Sequence, residues 1–294
     1  MAWAKVDAAH VPPEIDPTKP SVARVYDAIL GGKDNFAADR AVAAQAVKAT
    51  GDGGKGARVN RAALGRAVRF MCRQGVTQFL DLGSGLPTAQ NTHQIAQAVN
   101  PAARVVYVDN DPSAYVHGQA LLTGDSSTVV VLADIREPDK LLARLGSGDG
   151  DSWLVSASKE AEPEVAGFLD FAQPIGLILS AVIHHVLDEE DPHGIVARYT
   201  GALAPGSYLQ LTHFCDSSQQ ARANEQVLKQ SLGRGQVRSR EQIARFFDGL
   251  DLVQPGLVYL PEWRPDEPVR RPLDPGSTLM LGGVGRKPRK PRTP

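Results

Sequence analysis

The sequence contains little cysteine, no long hydrophobic run and no recognisable export signal. Cys72 and Cys215 are its cysteines among 294 residues, and they stand far apart without neighbouring histidines. A disulfide framework or a cysteine zinc site is therefore not expected. No apolar segment reaches the length of about 20 residues that crosses a bilayer, and residues 1–16 lack a basic segment followed by an apolar one. These absences predict a cytoplasmic protein with no membrane partner.

The sequence also lacks an excess of charge of either sign. Lys and Arg number 32 and Asp and Glu number 33, so the formal net charge is −1. A protein that coats nucleic acid carries a large basic excess, so nucleic acid is not an expected partner. Hydrophobic residues make up 42% and charged residues 22% of the chain, which are ordinary proportions for a globular protein.

Apolar segments typical of strands alternate with segments typical of helices over most of the chain. Strands regularly separated by helices predict a doubly wound, mostly parallel α/β sheet that is covered on both faces. Two later apolar runs, 252–260 and 277–284, are expected to complete the sheet. The alternating segments are strand 76–82, helix 87–99, strand 104–108, helix 112–122, strand 128–132, helix 138–145, strand 175–181, helix 191–203 and strand 207–212.

The regions outside this pattern differ in composition. Residues 1–20 contain several prolines without periodicity, and residues 286–294 are rich in basic residues and proline. We predict an extended arm at 1–20, a helical segment at 21–74, the α/β core at 75–285 and a disordered basic tail at 286–294. The stretch 146–164, rich in glycine, serine and acidic residues, is expected to be a surface loop.

A helix predicted at 58–74 carries many arginines on one face. Leu64, Val68 and Met71 share its apolar face. The arginine face is either solvated, with the side-chain stems packed along the helix, or a binding patch for an anion such as phosphate. The arginines of that face are Arg58, Arg61, Arg66, Arg69 and Arg73.

A glycine-rich turn follows the first predicted strand, in the run Phe79-Leu-Asp81-Leu-Gly83-Ser-Gly85. In a doubly wound fold such a turn lets backbone N–H groups approach a nucleotide-like ligand. Two features disfavour a dinucleotide, because Thr88 replaces the third glycine of the GxGxxG pattern and Asp81 would repel a pyrophosphate. That carboxylate would instead stabilise a ligand with cationic groups. S-adenosylmethionine, with its ammonium and sulfonium groups, is such a ligand.

Acidic residues also follow the second and third predicted strands. Asp109, with Asn110 beside it, is positioned to accept hydrogen bonds from both ribose hydroxyls. Asp134 is positioned to accept an adenine amino group while Ile135 packs on the ring. Each acid alone is as well explained as a helix cap or a loop residue. Because the carboxyl ends of parallel strands meet at one edge, acids after three consecutive strands are expected to line one site.

Several longer stretches make the sequence recognisable. Over residues 15–285 it resembles an actinobacterial family of S-adenosylmethionine-dependent methyltransferases, a subset of class I that was long a domain of unknown function. The resemblance implies a seven-stranded Rossmann-like sheet with an antiparallel last strand, S-adenosylmethionine as cofactor, and methyl transfer. The stretches are QFLDLGSGLPTAQNTHQIAQAVNPAARVVYVDNDPSA at 78–114, SVARVYDAILGGKDNFAADR at 21–40, Asn60-Arg61, Ser180-Ala-Val-Ile-His184-His185-Val-Leu-Asp188, Gly256-Leu-Val and Trp263-Arg-Pro.

The segment before the first strand commonly folds over the cofactor in class I methyltransferases, so the resemblance implies a lid at 21–74. From residues alone, the start of this segment is equally well explained as a helix closed by a C-cap at Gly31. The resemblance also implies that Ser180, in the segment of the fourth strand, contacts the cofactor. The candidate cofactor contacts within the lid are Tyr26, Gly32 and Asn35.

Histidines follow the fourth and fifth predicted strands, where this fold places groups that face the transferred methyl. His184 and His213 are candidate general bases for an oxygen or nitrogen nucleophile, although structural histidines explain the pattern as well. With His185 and Asp188 they lack the spacing of metal ligands, so no metal is expected. Because alignment of the nucleophile with the methyl supplies much of the rate, a dedicated base is not required.

We therefore predict an enzyme that transfers a methyl group from S-adenosylmethionine to a small-molecule acceptor by in-line displacement. Two other classes stay open, a non-catalytic S-adenosylmethionine sensor or interaction protein and an NAD(P)-dependent oxidoreductase. A nucleic-acid methyltransferase is less well supported, since the segment Ser180-Ala-Val-Ile stands where amino-methylating DNA enzymes carry Asn-Pro-Pro-aromatic or Asp-Pro-Pro-aromatic. Neither the residues nor the resemblance defines the acceptor or the oligomeric state.

Overall fold

The computed structural model describes four stretches of the chain, residues 15–87, 90–121, 126–146 and 165–289. Most of the predicted arm, nearly all of the predicted loop at 146–164 and the end of the predicted tail lie outside the described residues, as does Thr88.

Eight strands in the described part of the chain form one mixed sheet. They are β1 (Gln78–Leu82), β2 (Arg104–Asp109), β3 (Thr128–Leu132), β4 (Gly176–Ser180), β5 (Tyr208–Phe214), β6 (Asp251–Leu252), β7 (Val258–Tyr259) and β8 (Met280–Arg286). Their order is β3-β2-β1-β4-β5-β8-β6, and β7 also pairs with β8. The first five strands are parallel and β8 is antiparallel to β5, which confirms the doubly wound class and its antiparallel last strand.

The strand count differs from the expected seven near the end of the chain. The run 252–260, expected to be one strand, forms the two short strands β6 and β7 instead. Pro255 and Gly256 turn the chain between them, where the N–H of Gly256 donates to the carbonyl of Val253 at 2.8 Å. Both short strands pair with β8, so together they cover the outer side of that strand.

Helices cover both faces of the sheet, and its central strands β1 and β4 are buried along nearly their whole length. In β1, Phe79 packs with the core on one face, while Leu80 and Leu82 pack with the core on the other. Alternate residues of a strand point to opposite faces, so a strand buried on both sides is mostly apolar. The helices are α1 (Val22–Leu30), α2 (Ala37–Thr50), α3 (Lys55–Arg73), α4 (Thr92–Val99), α5 (Pro112–Leu121), α6 (Pro138–Leu145), α7 (Pro192–Ala202), α8 (Gln219–Leu232) and α9 (Arg240–Ala244).

The two N-terminal helices lie over the carboxyl edge of the sheet. Ser21 caps α1 by accepting a hydrogen bond from the N–H of Arg24, and Gly31 ends the helix in the left-handed conformation at φ 80°. Helix α1 packs on α2, and α2 packs on α8. A buried ion pair joins α1 to α2, in which Arg24 Nε donates to Asp39 at 2.9 Å. The same guanidinium donates to Ser113 at the start of α5, so it also ties α1 to the sheet edge.

The arginine face of α3 is used for contacts within the protein. Arg66 donates to the carbonyls of Leu260 and Trp263 at 2.7 and 2.8 Å. Arg69 binds the Asp266 carboxylate. These contacts attach the segment before β8 to α3 and favour the structural interpretation over an anion patch.

The last strand continues through Arg286, the residue at which the sequence predicts the tail to begin. Lys287 then donates to the carbonyls of Thr200, Gly201 and Leu203, which lie at the end of α7. A cation at a helix C-terminus is favourable because the carbonyls there lack intrahelical partners.

Candidate functional site

A cavity of about 550 Å³ opens at the carboxyl ends of the parallel strands, beneath α1 and α2. It lies where the chain leaves β1 for β2 on one side and returns to β4 on the other, which is the usual ligand crevice of a doubly wound sheet. Its volume is typical of a small-molecule site. Ten of the predicted site residues line it: Tyr26, Asp81, Gly83, Gly85, Asp109, Asn110, Asp134, Ile135, Ser180 and His184.

The glycine-rich turn has the geometry that the sequence predicts. Gly83 and Gly85 have φ values of 69° and 67°, in the left-handed region. A Cβ on Gly83 would lie 2.2 Å from Val182, so the turn can approach the loop after β4 only without a side chain. A Cβ on Gly85 would meet nothing within 4 Å and would project into open space. The two glycines thus serve different purposes, close packing at one position and access to the cavity at the other.

Asp81 stands at the base of the cavity and is 5% exposed. Its carboxylate accepts a hydrogen bond from the Thr92 hydroxyl at 2.7 Å. Burial raises the pKa of Asp81 to about 6, and the nearby Asp109 charge acts in the same direction. A carboxyl group held in this way is poised to ionise when a cationic group arrives.

Asp109 organises the glycine turn from the end of β2. One carboxylate oxygen accepts the N–H of Gly85 at 2.7 Å and the other accepts the N–H of Asp111 at 2.9 Å. Burial raises the pKa of Asp109 to about 6 despite these hydrogen bonds. A carboxylate has about four acceptor positions, so two remain for ligand hydroxyls.

Asp134 is held by a neighbouring cation rather than standing alone. Arg136 Nε lies 2.9 and 3.0 Å from its two oxygens, and the same guanidinium binds Glu190. Partial burial would raise the pKa of Asp134, but the hydrogen bonds and charge of Arg136 hold it below its usual value. Asn110 donates to the same carboxylate at 3.4 Å. Arg136 was not among the candidates, and its position two residues after Asp134 was the available signal.

Asn60 connects the N-terminal helices to the strands and was missed as a site residue. Its amide nitrogen lies 3.1 Å from the Tyr26 hydroxyl and 3.2 Å from Ser180 Oγ, and its oxygen accepts from Thr212 at 2.7 Å. The side chain is 2% exposed and lines the cavity. Tyr26 and Ser180 are therefore brought together through one amide. The signal in the sequence was the Asn60-Arg61 match, to which no role had been given.

Gly32 and Asn35 are placed away from the cavity, around Asp27. A Cβ on Gly32 would lie 1.9 Å from the Asp27 carboxylate, and Asn35 donates to that carboxylate at 2.8 Å. Neither residue belongs to the cavity lining. In this structure the pair therefore shapes the turn after α1 and does not reach the place predicted for the cofactor.

His184 and His185 form a short helical turn after β4, and both line the cavity. His184 is 3% exposed, and its ring packs on those of His185 and Phe214 with centroids 4.3 and 4.6 Å apart. None of the ring nitrogens of these two histidines is hydrogen-bonded to a described residue. Burial lowers the pKa of His184 well below its usual value and that of His185 to about 4. Both rings are therefore neutral near pH 7 and weak proton acceptors.

His213 lies outside the cavity lining, and both of its ring nitrogens are engaged. Arg238 Nη1 lies 2.7 Å from Nε2, and Nδ1 lies 2.7 Å from the Phe214 carbonyl. Because arginine only donates, Nε2 accepts and Nδ1 carries the proton. The buried Arg238 also binds Asp188 and the Val186 carbonyl, so it fixes the loop that holds His184. In this arrangement His213 supports the loop and is not available as a base.

Two further observations concern metals and membranes. Within the described stretches, no three His, Cys, Asp or Glu side chains are grouped in a way that would hold a metal ion. None of the helices that the structure describes is both long and apolar enough to cross a bilayer.

Comparison with known proteins agrees with the fold. A family model described as S-adenosyl methyltransferase matches residues 8–147 and 154–288. The structure is similar to that of a candidate methyltransferase from Thermobifida fusca YX, at 44% identity over 96% of this chain and 100% of that chain, with a TM-score of 0.85. It is also similar to a DUF574 family protein from Streptomyces avermitilis, at 34% identity over 93% of this chain and 99% of that chain, with a TM-score of 0.82. No protein of curated function matches the sequence.

The family match covers nearly the whole chain, and both similar crystal structures come from actinobacteria. The resemblance seen in the sequence is thereby confirmed, together with its cofactor. The chain belongs to the S-adenosyl methyltransferase family and is an S-adenosylmethionine-dependent methyltransferase.

Proposed function

We propose that S-adenosylmethionine binds at the carboxyl ends of β1, β2 and β3 and that its methyl group passes to a small-molecule acceptor. The observation that carries this proposal is the convergence of Asp81, Asp109 and Asp134 on one cavity. Three acids beside a glycine turn suit a ligand with an ammonium, a sulfonium and ribose hydroxyls. They do not suit a pyrophosphate, which argues against an NAD(P) enzyme.

Each residue of this part of the cavity has a distinct task. Asp109 keeps two acceptor positions for the ribose hydroxyls, and Asp81 provides negative charge where cationic groups approach. Asp134 offers an acceptor for the adenine amino group, and Ile135 gives an apolar surface for the ring. Helices α1 and α2, within the predicted lid at 21–74, cover the ligand and exclude water.

S-adenosylmethionine supplies a methyl group on a sulfonium, which the acceptor oxygen or nitrogen takes by in-line displacement while its own proton passes to water. The chain's contribution is to hold the acceptor in line and to keep the cavity closed. His184, neutral and at the cavity wall, orients the acceptor rather than removing its proton. Such a reaction proceeds without a dedicated base.

Calorimetric titration with S-adenosylhomocysteine tests the binding site. Asp109→Asn is expected to weaken binding by at least about tenfold, because it removes a charged acceptor. Asp248→Asn, at an exposed position outside the cavity, serves as the matched control. Equal affinity in the two variants would refute the site. Incubation with labelled methyl donor and cell extract then separates an enzyme from a sensor, which would yield no labelled product.

A further inference from the structure

The cavity continues beyond the proposed cofactor site, on the side of β4 and β5. Since β2 and β3 lie on one side of β1 and β4 and β5 lie on the other, the two parts of the cavity are separated by the glycine turn. We call the second part the acceptor chamber. Its walls are apolar side chains of α1, α2, α8 and the sheet edge, namely Ile29, Val47, Leu228, Leu232, Phe214 and Met280.

His184 and Asn224 are polar side chains buried within this apolar wall. His184 is 3% exposed and Asn224, from α8, is 5% exposed. His184 Nδ1 and Asn224 Oδ1 are enclosed by protein and have no hydrogen-bond partner among the described residues. Both side chains line the cavity, so Nε2 of His184 and Nδ2 of Asn224 are the atoms through which they can meet a ligand.

The state of these atoms follows from the cost of unsatisfied groups. A buried N–H without a partner is rarer in proteins than a buried lone pair without one. The neutral ring of His184 therefore carries its proton on Nε2, where a ligand can accept it, and leaves Nδ1 as a lone pair. The amide nitrogen of Asn224 is a donor in any case. His184 and Asn224 thus each present a hydrogen-bond donor to the chamber.

The charged side chains near the chamber are already bonded within the protein. Arg234 lies 3.6 Å from Glu190 and donates to the His185 carbonyl. Asp52, at the turn before α3, accepts hydrogen bonds from the N–H groups of Gly54 and Gly56. A charged ligand would therefore lose its hydration here without gaining a free counter-ion.

We propose that the acceptor chamber binds an uncharged, largely apolar carbonyl compound whose oxygen accepts hydrogen bonds from His184 and Asn224. This inference rests on the proposed function, because it assigns the methyl acceptor to the same cavity. The methylated atom is then a hydroxyl oxygen or ring nitrogen of the same molecule, and the carbonyl fixes its orientation.

Three probes of similar size separate the features of this proposal. Acetophenone is uncharged and has a carbonyl, ethylbenzene lacks the oxygen, and benzoate is charged. Their binding to the full chain saturated with S-adenosylhomocysteine is measured by saturation-transfer NMR titration. Acetophenone is expected to bind at least about tenfold more tightly than ethylbenzene, because its oxygen accepts two hydrogen bonds. Benzoate is expected to bind most weakly.

Variants then locate the binding. Asn224→Leu should reduce the advantage of acetophenone over ethylbenzene by at least about threefold, the loss of one of two hydrogen bonds, while Gln226→Leu, at an exposed position of the same helix, should leave both affinities unchanged. His184→Phe removes the other hydrogen-bond donor and should act in the same direction. Benzoate binding as tightly as acetophenone, no binding of any probe, or an unchanged ratio in both variants would overturn the proposal.

Titration with S-adenosylhomocysteine alone keeps the two claims apart. If S-adenosylhomocysteine binds and the probes behave differently from expectation, only the proposal for the acceptor chamber is refuted. If the cofactor product does not bind the unaltered chain, the proposed cofactor site fails first. Retained binding of S-adenosylhomocysteine also shows that each variant is folded.

Discussion

Replacing Asp81 by asparagine should stabilise the protein without ligand while removing the ligand response. Asp81 is 5% exposed, and its polar contact is the Thr92 hydroxyl, which donates to the carboxylate. Burial raises its pKa from 3.8 to about 6. The folded chain therefore holds a proton on this group in a pH range where the unfolded chain has released it. The stabilising contribution of the protonated Asp81 is therefore fully present below pH 3.8 and is lost as the pH rises through about 6.

The magnitude follows from the size of the shift. A difference of about two pKa units corresponds to about 3 kcal/mol of destabilisation at neutral and higher pH. Asparagine has the shape of the neutral carboxyl group and can still accept the Thr92 hydroxyl, so Asp81→Asn should recover up to this amount. For a chain of this size each kcal/mol shifts the melting temperature by about 2–4 °C.

Thermal unfolding at two pH values, with and without S-adenosylmethionine, is the assay. At about pH 8 the variant should melt several degrees above the unaltered protein, and at about pH 4 the two should coincide. The rise in melting temperature caused by S-adenosylmethionine should be largely lost in the variant. Asp248→Asn, at an exposed position, should behave as the unaltered protein in every condition. An Asp81→Asn variant that melts lower at both pH values, or that keeps its ligand response, would refute the reasoning.

Three further predictions follow from the same cavity and its lid. The affinity for S-adenosylmethionine should fall by about tenfold between pH 7 and pH 5, since the Asp81 carboxyl group, with a pKa of about 6, must ionise to bind a cation; a flat profile by calorimetry would contradict this. Gly85→Ala should cost about 1–2 kcal/mol of stability because alanine is strained at a positive φ. Gly83→Ala should cost more, because its Cβ would also meet Val182. Equal melting temperatures of the two variants would show that Gly83 does not closely approach Val182. Arg24→Met should lower the free energy of unfolding by about 3–5 kcal/mol, because Asp39 is left buried and unpaired. In chemical denaturation, the double variant that also carries Asp39→Leu should recover part of this loss. A single variant as stable as the unaltered chain would refute the role of this ion pair.

Local patterns predicted most of the fold. The structure reproduces the bounds expected for β3 and α6, where an apolar run or an amphipathic repeat ends at a turn or a glycine. The pattern failed at 252–260, because apolar residues on both sides hide the turn at Pro255 and Gly256 that separates β6 from β7. Hydrophobicity alone does not show which neighbour a strand will have.

The sequence predicts those site residues whose place is set by their position on a strand. Asp81 lies near the end of β1, Asp109 ends β2 and Asp134 follows β3, and parallel strands bring their carboxyl ends together. Asn60 could not be found in this way, because its partners lie on β4, β5 and α1, far away in the sequence. Asn35 shows the opposite case, since its local partner Asp27 holds it outside the cavity.

The histidines show how buried contacts decide a role. His184 and His213 both follow predicted strands, so sequence position made them equal candidates for a base. The difference between them comes from Arg238, which occupies one nitrogen of His213 and none of His184. Contacts of this kind depend on the final packing of distant elements.

A crystal structure of the complex with S-adenosylhomocysteine tests the central claim most directly. The account predicts adenosine over the ends of β1, β2 and β3, with ribose hydroxyls at hydrogen-bond distance from Asp109, about 2.6–3.2 Å. It also predicts that the sulfur faces the acceptor chamber beside His184. A ligand bound elsewhere, or one whose ribose makes no contact with Asp109, would contradict the account.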